Sequence, residues 1–238
     1  MARKTDRSRE PRLPDIRLPP LRPYADGALA ADAGYDELQF EDLDLTGQNG
    51  RGARFLECAL TRCALDETSL RRARFMECLL TGVRGVGADL AEASLRDVEL
   101  TDVRFGGLQM HGATLERVVV RGGKIDYLNL RRARLKDVVF DGCVLVEPDF
   151  AGARLERVAF RDCALRGAEF SDARLTDVDL RAASELDIAR GIDRLSGAVI
   201  SPTQLLDLAP VFAAQLGVRV EAMPADRSRE HGRSRPPR

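Results

Sequence analysis

Residues 131–180 read RRARLKDVVF DGCVLVEPDF AGARLERVAF RDCALRGAEF SDARLTDVDL, and every fifth residue of this stretch, from Leu135 on, is Leu or Phe. The same phase extends without a slip from Phe40 to Leu180, where 27 of 29 such positions hold a large apolar residue. The exceptions are Gly50 and Gly85. A period of five matches neither the 3.6 residues of a helical turn nor the alternation of a strand. It therefore predicts a repeat protein.

The position two residues before each large residue forms a second class, made mostly of Ala, Val, Leu and all five Cys. The two classes together hold 58 residues without a single charge, where the average charge density of the chain would place about 19. The pattern predicts a chain that runs extended for about three residues, buries the first and the third, and then turns.

Residues twenty apart are also alike, which predicts coils of four five-residue units. One such column is alanine at every step: Ala53, Ala73, Ala93, Ala113, Ala133, Ala153 and Ala173. Like residues would then stack on like at each turn, as in a solenoid whose repeats contact only their neighbours.

Units such as Ala53-Arg54-Phe55-Leu56-Glu57 and Ala168-Glu169-Phe170-Ser171-Asp172 resemble the motif of the pentapeptide-repeat family, which is small, polar, Leu or Phe, polar, turn. The resemblance implies an all-β fold, a right-handed quadrilateral parallel β-helix with coils about 4.8 Å apart. Seven-odd coils at this spacing would make a rod about 35 Å long.

The boundaries follow from where the repeat begins and fades. We predict a largely disordered N-terminal arm over residues 1–35, the β-helix over 36–185, a C-terminal cap with short helices over 186–222 and a disordered tail over 223–238. In the cap, Ser201-Pro202 is typical of a helix start, and Pro210 is expected to split the segment into two short helices before Gly217. Residues 28–33 are expected to form a short helix over the first coil.

The two glycines at large-residue positions have two interpretations. Gly50 and Gly85 mark either a thinned wall of the coil or simple tolerance of a small residue in a long core.

No motif indicates catalysis, a cofactor or a metal. The cysteines are spaced by multiples of five and fall on inward positions, which favours packing over zinc ligation. His111 lies in an outward column without a partner Ser, Cys or carboxylate that would build a triad. We therefore expect a non-enzymatic protein.

The charge pattern argues against direct nucleic-acid binding, since the whole chain has a net charge of -1. Residues 36–185 hold 22 basic and 27 acidic residues, spread over all sides. The arginines at positions such as 54, 74 and 134 run beside carboxylates such as Glu57, and we interpret this as a surface charge ladder that relieves like-charge stacking. The N-terminus lacks the apolar run of a signal peptide, and no segment is long enough to span a membrane, which predicts a cytoplasmic protein.

Two functions are consistent with these features. The first is a rigid scaffold or protein-interaction module for an unknown protein partner, with homodimerisation through the C-terminal cap as one arrangement. The alternative, implied by the resemblance, is a DNA mimic that binds DNA gyrase and confers quinolone resistance. The small acidic excess and the absence of projecting loops weaken this alternative, because a duplex carries one charge per about 1.7 Å.

One outward column is apolar where the others are polar. Leu79, Val119 and Val139 share one side of the predicted coil, and such a stripe is typical of a partner-binding surface. Two alternatives stay open at this point. The N-terminal arm, around Ile16–Leu21, could fold back over the stripe, or β-branched residues could simply suit a strand.

Overall fold

The computed structural model describes residues 10–221 of the chain, and over these it is a right-handed parallel β-solenoid, as the sequence predicts. The solenoid has about nine turns, more than the seven-odd coils that the sequence predicts. A single helix follows it. The elements are β1 Arg22–Pro23, β2 Gly34–Asp36, β3 Leu38–Glu41, β4 Arg54–Leu56, β5 Ala59–Thr61, β6 Arg74–Thr81, β7 Arg84–Val86, β8 Ser94–Thr101, β9 Arg104–Gly106, β10 Thr114–Arg121, β11 Lys124–Asp126, β12 Arg134–Asp141, β13 Val144–Val146, β14 Arg154–Arg161, β15 Ala164–Glu169, β16 Arg174–Asp179, β17 Glu185–Arg190, a 3-10 turn Ile192–Arg194, β18 Ala198–Val199 and α1 Pro202–Gln215.

Each coil has four sides. We define the sides by the residues of one coil, and the equivalent residues at steps of twenty belong to the same side. Side 1 contains residues 53–56, side 2 residues 58–61, side 3 residues 63–66 and side 4 residues 68–71. Long strands such as β10 cross sides 1 and 2 and belong to a 12-stranded sheet, while the strands of side 3 form a 6-stranded sheet. Side 4 contributes isolated parallel bridges such as Gln109↔Asn129. The register is twenty residues throughout the middle of the rod, as in Leu115↔Leu135.

The core consists of the two predicted inward classes. The phenylalanines stack coil on coil, with ring centroids 4.6 Å apart for Phe55 and Phe75 and 5.0 Å for Phe140 and Phe160. The alanine column and all five cysteines are buried, and the cysteines are free thiols. The inward phase predicted from the sequence is therefore confirmed.

The corners of the coil use left-handed backbone at residues other than glycine. Glu57, Arg62 and Glu67 have φ values of 52°, 53° and 52°, a conformation that costs about 1–2 kcal/mol for a residue with a Cβ. The corner amide groups are satisfied by the next coil, since Glu57 N–H donates to Met76 O over 3.0 Å and Arg62 N–H to Thr81 O over 2.8 Å. The ladder of backbone hydrogen bonds thus holds the corners in place.

The two core glycines have different environments. A Cβ on Gly85 would lie 2.9 Å from the backbone C and O atoms of Leu65, whereas a Cβ on Gly50 would meet the side chains of Leu70 at 2.9 Å and Leu29 at 3.3 Å. Backbone cannot move aside as a flexible side chain can. Gly85 therefore marks a place where the wall approaches the preceding coil, and Gly50 is a site filled by its neighbours.

We expect Gly85→Ala to lower the free energy of unfolding by about 1–3 kcal/mol, because the added methyl group meets fixed backbone. Gly50→Ala is the matched control, with a cost under about 1 kcal/mol since Leu70 and Leu29 can rotate. Urea unfolding of the two variants measures both values. An equal or reversed order would contradict the close approach at Gly85.

The C-terminal end differs from the prediction in two respects. Strands continue past residue 185, since β17 pairs with β15 and β18 with β16. The cap holds one continuous helix, α1, so the predicted division at Pro210 is wrong. Pro210 and Leu206, whose carbonyl group it leaves without a donor, are both exposed residues of the helix.

The start and end of α1 follow the predicted residues. Ser201 and Gln204 form a capping box with Pro202 at the first turn, and Gly217 ends the helix with φ 71°. Gln204 also donates from Nε2 to Leu180 O over 2.8 Å, which ties the helix to the last coil.

The N-terminal residues also depart from expectation. Residues 10–35, predicted as a largely disordered arm, lie against the rod, and residues 28–33 form a turn rather than a helix. Leu29 is buried, and its N–H donates to Gln48 Oε1 over 2.6 Å. Tyr35 begins the aromatic stack on Phe55, with centroids 4.9 Å apart. The predicted tail over 223–238 lies outside the described residues.

Candidate interaction surface

The predicted stripe lies on side 2 and is covered. Val119 pairs in register with Val139, and Val139 with Ala159. The three residues form an apolar cluster separate from the coil core, with exposed fractions of 1%, 2% and 4%. Leu79 is half-buried and is separated from them by Glu99. The expectation that the two valines face solvent is therefore wrong, although their side chains do lie outside the coil.

The cover is the N-terminal arm. Its strand β1 pairs with Leu38–Gln39 at the first coil, and the backbone N–H of Arg12 donates to Asp137 Oδ1 over 3.1 Å, five coils further along. Five coils span about 24 Å at strand spacing, and ten extended residues reach about 31 Å. The segment between Arg12 and Arg22 therefore runs along the rod, over the coils that contain Val119 and Val139.

The arm contacts the rod through alternate residues. Pro14, Ile16 and Leu18 are half-buried, whereas Asp15 and Arg17 are exposed. Proline has no N–H to donate, so burial of side chains rather than a continuous ladder holds this segment. Of the two alternatives that the sequence leaves open, a fold-back around Ile16–Leu21 agrees with this packing.

An ion pair holds the far end of the arm. Asp137 is 3% exposed at its side chain and accepts from Arg157 at 2.7 and 2.9 Å. Burial raises the pKa of Asp137, but the hydrogen bonds from Arg157 and from Arg12 N–H outweigh it and hold the pKa below its ordinary value. A depressed carboxyl pKa stabilises the fold above the unfolded pKa, and this contribution is lost as the pH falls through the folded pKa.

A second apolar surface lies on α1 and stays exposed. Gln204 and Leu208 face the last coil, and they are the buried residues of this helix. On the outer side, Leu206 and Leu216 are 74% and 78% exposed, and Leu205 beside them is 51% exposed. Helical spacing places these leucines on one side.

The remaining candidates for chemistry stay apart. His111 is half-buried on side 4. Among residues 10–221, no group of His, Cys, Asp and Glu side chains could hold a metal ion. Burial raises the pKa of the Cys63 thiol, which disfavours the reactive thiolate. Over the same residues, none of the helices is long and apolar enough to cross a membrane.

The comparison with protein families agrees with the geometry of the repeat. The model of the family described as pentapeptide repeat region matches residues 53–130 and 127–189. No curated protein matches the chain. Among solved structures, a trypsin-treated variant of QnrB1, a plasmid-mediated fluoroquinolone resistance protein, is 17% identical over 84% of this chain and 97% of its own, with a TM-score of 0.45.

A second solved structure is HetL from the cyanobacterium Nostoc sp. strain PCC 7120, a pentapeptide repeat protein involved in heterocyst differentiation regulation. It is 23% identical over 71% of this chain and 90% of its own, with a TM-score of 0.34. The matched family model covers more than half of the chain, and its repeat is the one that stacks in the rod. The chain belongs to the pentapeptide-repeat family.

Proposed function

We propose that this protein is a non-enzymatic scaffold that binds protein partners and that two copies join through the C-terminal helix. The observation that carries the proposal is the exposed apolar side of α1, with Leu205, Leu206 and Leu216 at the end of the rod. A contiguous exposed apolar surface is typical of a protein interface.

A second copy is the occupant that fits this surface. The apolar side of α1 lies at the end of the rod, so a two-fold axis beside the helix would join two rods and leave their sides free. Such an isologous contact closes on itself and needs no further subunit. Val218 and Val220, which follow the helix, are also exposed and extend the apolar area.

The DNA-mimic alternative lacks support of this kind. A mimic needs a continuous acidic face, but the most acidic corner of the rod, which begins with Glu57, Glu77 and Asp97, is interrupted by Arg117 and Arg157. On the neighbouring column of side 1 the exposed charges are arginines.

The mass of the particle in solution tests the proposal. We expect the full chain to elute as a dimer in size-exclusion chromatography with light scattering, and the double variant Leu206→Glu, Leu216→Glu to elute as a monomer, because buried unpaired charge opposes association. The matched control is Val86→Glu, Tyr127→Glu, which places the same charges on exposed apolar residues of the rod. A monomeric parent chain, or a dimeric helix variant, would overturn dimerisation through α1.

A further inference from the structure

Side 1 carries arginines that stack on one another in two groups, with Ser94 and Thr114 between the groups. Arg54 pairs in register with Arg74, and Arg134 with Arg154, which pairs in turn with Arg174. We call these five residues the arginine row; all are exposed. Like charges directly opposite each other on neighbouring strands are destabilising, so the row needs an explanation.

The adjacent corner of the rod shows that the same fold can pair opposite charges. There, Arg117 stacks on Asp97 with contacts of 2.5 and 2.6 Å, and Arg157 stacks on Asp137 in the same way. In the part of the chain that the structure describes, no residue of the arginine row forms an ion pair within 4.0 Å, and neither does Arg51 or Arg132 beside it. The expectation that the ladder relieves like-charge stacking is therefore correct for the corner and wrong for the arginine row.

The rest of side 1 shows which partner would fit. Next to the arginine row, Leu56 and Met76 are exposed at 38% and 43%, and beyond them lie the carboxylates of Glu57 and Glu77. Cation, apolar and anion bands therefore run side by side along the first coils. Arg and Met are typical of protein interfaces, and a nucleic acid would gain nothing from the exposed leucine and methionine.

We propose that side 1 is the surface that binds the protein partner, and that the partner places a row of carboxylates against the arginine row. The two groups together extend over six coil steps, about 29 Å at strand spacing, with three of the five arginines in the group Arg134, Arg154 and Arg174. This length suits a long acidic helix or strand edge. Each guanidinium group offers a planar fork that accepts a carboxylate in two hydrogen bonds. The inference rests on the proposed scaffold role but not on dimerisation through α1.

Poly-L-glutamate of about 20 residues, labelled with a fluorophore, is a suitable probe at about 50 mM salt, where exposed charges interact strongly. We expect the full chain to bind it, and the triple variant Arg134→Gln, Arg154→Gln, Arg174→Gln to weaken binding by at least about tenfold. The matched control is Arg84→Gln, Arg104→Gln, Lys124→Gln, which removes the same charge from a stacked column on side 3 that is flanked by Asp66 and Asp126. We expect less than about a twofold change for it.

Four results would overturn the proposal. The first is no binding of poly-L-glutamate, and the second is an equal loss of binding in the control variant. The third is a short DNA duplex that binds more tightly than poly-L-glutamate and depends on the arginine row in the same way. The fourth is a changed particle mass of the side 1 variant. The third result would assign the surface to nucleic acid, and the fourth to a second copy of the chain. A parent chain that is monomeric but binds the probe would contradict only the dimer through α1.

Discussion

Replacing Phe75 with Arg is expected to lower the free energy of unfolding by at least about 3–5 kcal/mol, enough to melt the first coils. Phe75 is 2% exposed, and its ring stacks on that of Phe55 with 1° between the planes. The substitution removes this contact and places a charge where no acid can reach it. Thermal and urea unfolding, followed by circular dichroism, measure the loss.

The neighbouring residue provides the control for that substitution. Arg74 is exposed, so Arg74→Ala should change the free energy of unfolding by no more than about 0.5 kcal/mol. If Phe75→Arg does not fold at all, Phe75→Leu keeps the comparison measurable, with an expected cost of about 1–2 kcal/mol. Unfolding midpoints that are the same for Phe75→Leu and Arg74→Ala would contradict the inward phase of the repeat.

The coil could be predicted from the sequence because its contacts are repeated. In a column such as Ala53, Ala73 and Ala93, the same packing requirement acts at every coil, since each residue must fit under its equivalent in the next coil. One misplaced residue would put a charge or a bulky group into the core. The phase and the inward positions of the cysteines followed from this rule alone.

The arm could not be predicted in the same way, because it is not repeated. Pro14, Ile16 and Pro19 belong to a segment rich in Pro, Arg and Asp, a composition typical of disorder. The coils along which it runs, those of Val119 and Val139, come about a hundred residues later in the chain. The stripe was visible in the sequence, but nothing there stated whether a partner or the arm covers it.

The prediction at Pro210 was wrong, and the role of Gly85 stayed open, for reasons that lie outside the local sequence. A proline inside a helix removes one backbone hydrogen bond and crowds the carbonyl group four residues earlier, and whether the helix continues past it depends on how the cap docks through Gln204. The role of Gly85 depends on the path of the Leu65 backbone in the preceding coil. Both features depend on tertiary contacts, so the residue propensities of the local sequence could not predict them.

Replacing Val139 with Asp is expected to release the arm without unfolding the rod. Val139 belongs to the apolar cluster outside the coil, so its substitution leaves the core stack of Phe140 on Phe160 in place. A carboxylate under the arm would be buried without a cation of its own and would lie two residues from Asp137, which has already engaged Arg157. Burying such a charge is costly, and detachment of the arm avoids this cost.

Trypsin should then cleave after Arg12 and Arg17 at least about ten times faster than in the parent chain, because proteolysis follows the population of the open form.

The matched control is Thr81→Asp, which adds the same charge to an exposed position of side 2 that the arm does not cover. Its cleavage after Arg12 and Arg17, followed by mass spectrometry, should stay within about twofold of the parent rate. Circular dichroism of both variants should keep the β spectrum, since the coil core is intact. Lowering the pH through the depressed pKa of Asp137 should release the arm in the parent chain, because protonation removes the charge that pairs with Arg157 and weakens the acceptor for Arg12 N–H. Faster hydrogen exchange of the arm's backbone amides measures this release. Equal cleavage rates for the parent chain and Val139→Asp, with the β spectrum retained, would mean that the arm does not depend on the stripe, and Val119, Val139 and Ala159 would then need another cover.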